Sequence, residues 1–425
     1  MLTAGCTSSP ASTGASATAT PSATAVSSAP SETPAPSASG GLEAASADLD
    51  RLMDLLEAIH PEPFHGVPRD EWVARLQEIQ GEMPEATPEQ SMVAVMGLVA
   101  MLSREGRDGH QIAFPTDGGP MLPVRIFEFA DGVFVTDALD ASLIGARITA
   151  VGAQPIDEVL AALDPLVARD SPATVPWFRP FYFLRADVLE GLGIVADDAS
   201  VTLTIEPAGV GASREGTLDT IASAEFNEWA GPFGLIHLPE RDGLRFTVHE
   251  PRFSTEDLGN GVLYARLTQV QRVPTSEINA FAAAAAGPDV TRVIFDLRQN
   301  PGGNNFTYPP LLRALQEVGK PLWVLTDRGT FSAASNLATE IEQSTDARFA
   351  GEPMGGGLNF WDDVQFIELE HLPIPMSVGI STLYWQKSVT DDPRLTIEPD
   401  LAVPYRSDDY FGGVDAGLDA VLAAP

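Results

Sequence analysis

The stretch PLWVLTDRGTFSAASNLATEIEQS, residues 321–344, determines the fold class that we predict. It opens with an apolar run of the length of a buried strand, PLWVLTD, and continues from Ser332 into a segment of helical character, SAASNLATEIEQS. A strand followed at once by a helix is typical of the crossover units of a parallel sheet. Ser332 begins the helix, and a serine at this position is either an N-cap or a nucleophile.

The same alternation of strand and helix continues on both sides of this stretch. We predict strands at GVLYARL (261–267), TRVIFDL (291–297) and ARFAGEP (347–353), and a helix at LLRALQEVG (311–319). Such an order predicts a parallel-rich sheet that is covered on both faces, with functional loops after the strand ends. We therefore expect an α/β catalytic domain over residues 245–425.

Two other segments of the chain precede this domain. Residues 42–115 show helical periodicity, and Thr87 and Gln90 form a capping-box pattern at one helix start. Residues 116–244 are rich in short β-branched runs. Within them GARITAVGAQPIDEVLAAL (145–163) resembles the strand, turn and helix of a PDZ-like module. A plain β-rich linking domain is an equally good interpretation of this segment.

The extreme N-terminus has the composition of a lipid-anchored tether. Residues 1–6 end in LTAGC, which resembles a bacterial lipoprotein signal in which Cys6 receives the lipid. The residues before Cys6 are too few for a complete signal, so we expect that its start lies upstream or was trimmed. Residues 7–41 are rich in Ser, Thr, Ala and Pro, which predicts a disordered tether. We expect an extracellular, cell-surface lipoprotein that meets the membrane only through its lipid.

The charge of the chain excludes one class of partner. Fifty-nine acidic residues against 25 basic ones give a net charge of -34. Such a charge repels phosphate backbones and anionic lipid surfaces, so we expect no nucleic-acid partner. His, Cys and carboxylate residues show no metal-ligand spacing, and we expect neither a metal nor an organic cofactor.

A glycine turn follows one of the predicted strands. In VIFDLRQNPGG, residues 293–303, the two glycines leave backbone amides free to face a ligand oxygen. Beside Ser332, the amides of Gly302, Gly303 and Ala333 could form an oxyanion hole.

Four motifs in order, DLRQNPGG, TFSAASN, AGEPMGGG and TIEPD, resemble the catalytic domain of the tail-specific (C-terminal processing) serine peptidase family. The upstream RDGHQ segment is similar to the DGHT segment of that family, which extends the resemblance to His110. The resemblance implies a crotonase/ClpP-like catalytic domain with Ser332 as nucleophile. Gly351 and Glu352 stand at the spacing of a Gly-Glu pair of that family.

The base that would activate Ser332 is a histidine in our interpretation. The position of the catalytic lysine in the best-known branch of the family is Gly357 here, and the two lysines, Lys320 and Lys387, lie elsewhere. A lysine base would need its pKa lowered by about three units, whereas histidine has an ordinary pKa of about 6.5. We therefore predict His110 as base, as in the tricorn-like and interphotoreceptor-retinoid-binding-protein-like branch.

The third catalytic group should be a carboxylate that orients the imidazole. The related branch has a glutamate before the PD motif, and the corresponding residue here is Pro393. The nearby acids lead us to predict Asp392, and after it Glu398. His60 and His65 flank the motif PEPF, and we expect them to shape the turn between two helices.

These residues predict a serine peptidase that hydrolyses peptide bonds in a peptide or protein substrate. One alternative is a catalytically inactive member of the same fold that binds peptides or small ligands at the cell surface. A second is an acyl-CoA enzyme of the related crotonase-like architecture, although the placement of Ser332 and His110 argues against it. The oligomeric state stays open.

Overall fold

The computed structural model describes residues 38–209, 211–231 and 234–425. Cys6 and most of the predicted tether lie outside the described residues. The helices are α1 (Ala38–Ile59), α2 (Arg69–Glu82), α3 (Pro88–Ala100), α4 (Ile156–Leu163), α5 (Thr174–Phe183), α6 (Ala186–Gly191), α7 (Ser223–Ala230), α8 (Thr275–Ala285), α9 (Pro309–Gln316), α10 (Ala333–Ser344), α11 (Ser407–Gly412) and α12 (Ala416–Ala423). Within this described part, no helix has the length and hydropathy that a bilayer crossing requires.

The strands form five sheets in the described chain. They are β1 (Ala113–Pro115), β2 (Pro120–Met121), β3 (Val124–Phe129), β4 (Gly132–Ala138), β5 (Arg147–Val151), β6 (Gln154–Pro155), β7 (Ser200–Glu206), β8 (Arg214–Asp219), β9 (Ile221–Ala222), β10 (Phe253–Asp257), β11 (Val262–Leu267), β12 (Arg292–Asp296), β13 (Leu322–Thr326), β14 (Arg348–Gly351), β15 (Asn359–Asp362), β16 (Gln365–Leu369), β17 (Met376–Ile380), β18 (Leu383–Gln386) and β19 (Leu401–Ala402).

The six-stranded, mainly parallel sheet confirms the predicted alternation of strand and helix. Its strand order is β10-β11-β12-β13-β14-β19, and all neighbours are parallel except β10 and β11. Helices α8, α9 and α10 pack on one face, and α12 packs on the other. The sheet is therefore covered on both faces, which explains why its strands read as continuous apolar runs.

This topology brings the two predicted functional loops together. Because β12 and β13 are parallel neighbours, the loops that follow them leave the same edge of the sheet. The Asp327 carboxylate accepts hydrogen bonds from the amides of Gln299, at 3.0 Å, and Gly329, at 2.9 Å. The Phe331 amide donates to the Asn300 carbonyl at 3.0 Å. The glycine loop and the serine loop are thus one hydrogen-bonded unit.

The N-terminal half packs around a second, larger core. Helix α3 starts with the predicted capping box, in which Thr87 and Gln90 exchange side-chain and backbone hydrogen bonds. The sheet β3-β4-β5-β7-β8 is antiparallel and shares its core with α1, α2 and α3. Both segments on either side of the predicted boundary at residue 115 therefore contribute to the same core, and the division into domains stays a prediction.

The chain returns to this N-terminal core after the parallel sheet. Strand β17 pairs antiparallel with β1, so that Val378 lies opposite Ala113. Because β1 begins just after His110, this pairing carries the histidine turn to the C-terminal part of the chain.

A buried ion cluster attaches the C-terminal helix to the parallel sheet. Arg298 is 1% exposed and donates to Asp296, at the end of β12, and to Asp415, the N-cap of α12, at 2.7 Å in each case. Removing one partner of such a cluster leaves the remaining charges buried without compensation.

We expect Arg298→Met to lower the free energy of unfolding by about 3–5 kcal/mol, because Asp296 and Asp415 lose their counter-charge. Urea unfolding followed by tryptophan fluorescence measures the effect. Arg245→Met is the matched control, since Arg245 forms a partly exposed, bidentate ion pair with Glu256. Its substitution should lower the free energy of unfolding by at most about 1 kcal/mol. Equal effects of the two substitutions would contradict the prediction.

Candidate active site

Ser332 stands at the strand-to-helix turn between β13 and α10 in an unusual backbone conformation. Its φ is 53° and its ψ is -127°, a region that residues with a side chain rarely occupy. The serine is the residue before α10, yet its side chain makes no capping hydrogen bond. The structure therefore removes the interpretation of Ser332 as an ordinary helix cap. A serine held this way, on a sharp turn between a strand and a helix, has the geometry of a nucleophile elbow.

Two glycines make this conformation sterically possible. A Cβ atom at Gly302 would lie 2.6 Å from Ser332 Cβ and 2.8 Å from the Ala333 amide nitrogen. A Cβ atom at Gly356 would lie 2.0 Å from Ser335 Oγ and 3.1 Å from the Ser332 nitrogen. The backbone therefore closes on the serine from two sides, and only glycine allows this approach.

The Ser332 hydroxyl is directed at a carboxylate that it shares with His110. Ser332 Oγ donates to Asp362 Oδ2 at 3.3 Å, and His110 Nε2 lies 3.6 Å from the same oxygen. Within the described residues no direct hydrogen bond joins Ser332 to His110. The side chains of His110 and Asp362 are 16% and 13% exposed, so the group is partly open to solvent.

Aromatic rings hold the imidazole of His110. Its ring stacks on Phe331, with centroids 4.6 Å apart, and on Phe360, with centroids 5.6 Å apart. Phe331 directly precedes the serine, and Phe360 lies on β15 two residues before Asp362, so both rings belong to segments that carry the site. The Nδ1 atom of His110 is buried and has no hydrogen-bond partner among the described residues.

A second carboxylate, Asp170, lies behind the histidine turn. It is fully buried and accepts hydrogen bonds from the amides of Gly109, at 2.6 Å, and Gly357, at 3.3 Å. Burial raises the pKa of Asp170 to about 7, although the nearby His110 charge and the Gly109 amide act in the opposite direction. Asp170 is thus a carboxyl group that changes its protonation state near neutral pH.

The structure changes the set of amides that we predicted for the oxyanion hole. The Gly302 amide donates to Asn300 Oδ1 at 3.0 Å, so it is not free for a ligand. The amides of Gly303 and Ala333 have no acceptor among the described residues. Because the Gly302 backbone packs against Ala333, these two free amides belong to segments in direct contact.

The two acids that we predicted as the third catalytic group are engaged elsewhere or exposed. Asp392 accepts from Ser388 and from Arg394, which holds the pKa of its carboxyl well below the usual range. Glu398 is exposed on the surface. In the described chain, no hydrogen bond or ion pair joins either of them to His110. Asp362 and Asp170 occupy the places around the imidazole instead.

Sequence reasoning missed Asp362 and Asp170 because their local patterns are ordinary. Asp362 ends the short strand in NFWDD, and Asp170 begins a turn in RDSP. An aspartate at a strand end or a turn is common without any function. The only usable signal was the position of Asp362 soon after the motif AGEPMGGG.

The Gly351–Glu352 pair and the lysine nearest to the site form structural contacts here. Glu352 forms two hydrogen bonds of 2.8 Å with Arg328, and its partner Gly351 has a φ of 112°. Lys387 donates to Glu340 at 3.0 Å, which is an ion pair rather than a base for Ser332.

Backbone strain is concentrated around this group of residues. Among the described residues, five that are not glycine have a positive φ. Four of them lie around the candidate site. Arg107 is in the histidine turn, and Gln299 lies just before the glycine loop. The other two are Ser332 itself and Asp363, which follows Asp362. Strain of this kind persists only where the surrounding structure enforces it, and it is typical of functional sites.

A large cavity lies elsewhere, between α2, α3 and the segment around residue 166. It has a volume of about 920 Å³ and contains no histidine in its lining. It therefore lacks the pairing of a nucleophile with a base, and we place the candidate site at Ser332.

Comparisons with known proteins support the fold. No family model matches this sequence, and no curated protein matches it. Among solved structures, mature CPAF complexed with lactacystin has 13% sequence identity and a TM-score of 0.63, and the match covers 90% of this chain and 98% of that chain. A serine-to-alanine mutant of CPAF has 15% identity, a TM-score of 0.59, and coverages of 90% and 96%.

The photosystem II D1 C-terminal processing protease also matches, with 15% identity, coverages of 88% and 98%, and a TM-score of 0.40. The chain therefore has a mixed α/β fold that is similar to mature CPAF over nearly the whole length of both. The tricorn protease matches as well, with a TM-score of 0.38.

The raised pKa of Asp170 predicts a pH dependence of stability. Because its folded pKa of about 7 exceeds the unfolded value of about 3.9, the contribution of Asp170 to stability is complete below pH 4 and is lost as the pH rises through 7. Between about pH 5 and 6.5, the wild type should lose up to about 1.4 kcal/mol per pH unit relative to Asp170→Asn.

Urea unfolding of both proteins across this range measures the difference. Asp131→Asn is the control, since hydrogen bonds from Ser407 lower the pKa of Asp131 despite its partial burial. Its stability difference from the wild type should stay constant over the same range. A constant difference for Asp170→Asn as well would refute the assignment.

Proposed function

We propose that this protein is a serine peptidase in which Ser332 attacks the peptide carbonyl. One observation carries the proposal: the strained Ser332 does not cap its helix, and its hydroxyl instead faces Asp362 Oδ2, which it shares with His110. A structural serine would gain nothing from a conformation that costs about 1–3 kcal/mol. The similarity to the CPAF fold supports a peptidase scaffold.

In the proposed mechanism, His110 is the general base. Ser332 Oγ forms a bond to the carbonyl carbon while its proton passes to His110, after the Asp362 carboxylate has turned aside or by way of that carboxylate. The imidazolium then delivers the proton to the leaving amine as the C–N bond breaks. A water molecule then loses a proton to His110 as its oxygen bonds to the acyl carbon. The ester bond to Ser332 Oγ breaks, and His110 returns the proton to Oγ as the acid product leaves.

The negative charge on the carbonyl oxygen would be stabilised by backbone amides. The free amides of Gly303 and Ala333 are the proposed donors, since that of Gly302 is already bonded to Asn300. The N-terminal end of α10 adds the favourable field of its helix dipole.

The acid that supports His110 during the reaction is proposed to be Asp170 on the buried side, whereas Asp362 holds the imidazole in the resting arrangement. Asp362 lies against Nε2 in the resting arrangement. Asp170 is close enough to His110 for their charges to interact, and the buried Nδ1 atom of the imidazole has no other partner among the described residues. An anionic Asp170 would stabilise the imidazolium that forms during the reaction.

Several finer features are proposed from the sequence alone. We propose that the substrate is a peptide or protein, that residues 116–244 act as a PDZ-like module, and that residues 245–425 form a crotonase/ClpP-like catalytic domain. We also propose that Cys6 carries a lipid that holds the protein at the outer cell surface. The motif LTAGC and the Ser/Thr/Ala/Pro composition that follows it support the anchor.

A catalytically inactive, ligand-binding protein is the second candidate. It is favoured by one observation, namely that Asp362 stands between Ser332 and His110 and takes the hydrogen bond that a base would receive. In that case the free amides and the partly open site would bind a peptide without cleaving it.

A fluorophosphonate probe separates the two candidates. We expect the wild type to be labelled and Ser332→Ala to show no labelling, because the probe forms its bond with the activated hydroxyl. His110→Gln should lower the labelling rate by about 10²–10⁴-fold, since general base catalysis is lost. Mass spectrometry of the intact protein measures both.

Ser335→Ala is the matched control for these variants. Ser335 lies one turn further along α10, and its hydroxyl donates to the Thr330 carbonyl at 3.0 Å, so labelling should persist. A folded wild-type protein that stays unlabelled between about pH 6 and 9, the range in which a histidine base becomes neutral, would favour the binding protein instead.

A further inference from the structure

A network of polar side chains surrounds Asp108, two residues before His110. The Asp108 carboxylate is fully buried and accepts hydrogen bonds from Ser381 Oγ at 2.6 Å, His60 Nε2 at 3.1 Å and His65 Nε2 at 3.4 Å. Burial alone would raise the pKa of Asp108, but the hydrogen bonds from the two histidines and the serine lower it below the usual value. Asp108 is therefore a buried carboxylate that stays ionised.

The hydrogen bonds determine the chemical nature of this cluster. The ligand atoms of His60, His65 and Asp108 lie within 4.8 Å of one another, which is close enough for a metal ion. However, the Glu62 amide donates to His60 Nδ1 at 2.9 Å, so Nδ1 is the acceptor and Nε2 carries the proton. A metal-bound histidine needs the reverse arrangement, in which the second nitrogen donates. The geometry thus indicates a proton-bearing network.

The partners of Asp108 contact chain neighbours of the residues that form the candidate active site. Trp361 packs against both imidazoles, with centroid distances of 4.6 Å to His60 and 6.2 Å to His65. Trp361 precedes Asp362 on β15, so its side chain lies on the opposite face of the strand. Its amide donates to the Arg107 carbonyl at 2.7 Å, which ties β15 to the histidine turn.

Ser381 makes a second connection of the same kind. Its hydroxyl bonds to Asp108, and the next residue, Thr382, donates its amide to the Asp362 carbonyl at 2.9 Å. The network therefore fixes His110 through the turn that contains Asp108, and it fixes Asp362 through Trp361 and Thr382.

We propose that Asp108 is a positioning residue which, with His60 and His65, sets the imidazole of His110 relative to Asp362 and Ser332. This proposal rests on the proposed function. The ionised carboxylate draws three donors from two separate segments, the turn after α1 and the residue after β17, to one point. Asp362 is attached to these segments through Trp361 and Thr382, and His110 lies on the turn that contains Asp108. Without the charge, the donors lose their common acceptor and the turn from Arg107 to His110 is released.

Two readouts test the positioning role. The first is the rate of fluorophosphonate labelling, resolved into its maximal rate and its half-saturating concentration. We expect Asp108→Asn to lower the maximal rate by about 10- to 100-fold with little change in half-saturation, because a small misplacement of a catalytic group has an effect of this size. His60→Leu should behave in the same way. His60→Gln should stay within about threefold of the wild type, since its amide can still donate to Asp108.

The second readout does not depend on activity. In protein labelled with ¹⁵N-histidine, the six histidines are assigned by single substitutions. We expect Asp108→Asn to move the ring signals of His110, and His60→Gln to leave them in place. Addition of Zn²⁺ should leave the signals of His60 and His65 unchanged.

Asp48→Asn is the matched control. Asp48 is another buried aspartate that pairs with a histidine, His371, at 3.3 Å. Its substitution should leave both the labelling and the His110 signals unchanged, while its effect on thermal stability shows what a purely structural loss does.

The outcomes separate this proposal from the proposed function. If the wild type is not labelled, the peptidase proposal fails, and the His110 signals still decide the positioning role. Unmoved His110 signals in folded Asp108→Asn, or labelling at the wild-type rate, would overturn the positioning role. Binding of Zn²⁺ at His60 and His65 would overturn the network assignment.

Discussion

The backbone of Ser332 carries the conformational constraint on which the candidate site depends. A positive φ at a serine costs about 1–3 kcal/mol, and the surrounding structure has to supply that energy. It does so through the close approach of Gly302 and Gly356, and through the hydrogen bonds by which Asp327 joins the glycine loop to the serine loop. The parallel pairing of β12 and β13 places these loops side by side. The fold of the sheet thereby determines the direction of one hydroxyl group.

Three aspartates around His110 differ in protonation and exposure because their surroundings differ. Hydrogen bonds from two histidines and a serine keep Asp108 ionised despite its burial. Asp170 is equally buried, but burial dominates there and raises its pKa to about 7. Asp362 is partly exposed and faces both Ser332 and the imidazole. One carboxylate thus organises the turn, one can change its protonation state, and one contacts the proposed reacting groups.

Much of the architecture could be predicted from the sequence. The strands around 261–267 and 291–297 and the capping box at Thr87 are confirmed, because apolar periodicity and helix-start patterns are local properties. Ser332 and His110, which we selected by motif, reach the same oxygen of Asp362. The supporting acids could not be predicted, since no local pattern distinguishes Asp362 and Asp170 from the more conspicuous Asp392 and Glu398. The occupied Gly302 amide depended on the side chain of Asn300, which the glycine motif does not describe.

The sequence by itself determined the order of strands and helices around Ser332, the loop that carries the serine, and a strongly acidic net charge. These properties follow from residue type and spacing, which act over a few neighbours along the chain. Only the tertiary structure decided which groups surround the imidazole. Asp170, His110, Ser332 and Asp362 come from separate segments, and the pairing of β1 with β17 and of β15 with β18 brings them together. Burial, which sets the charge of each carboxylate, exists only after those segments have packed.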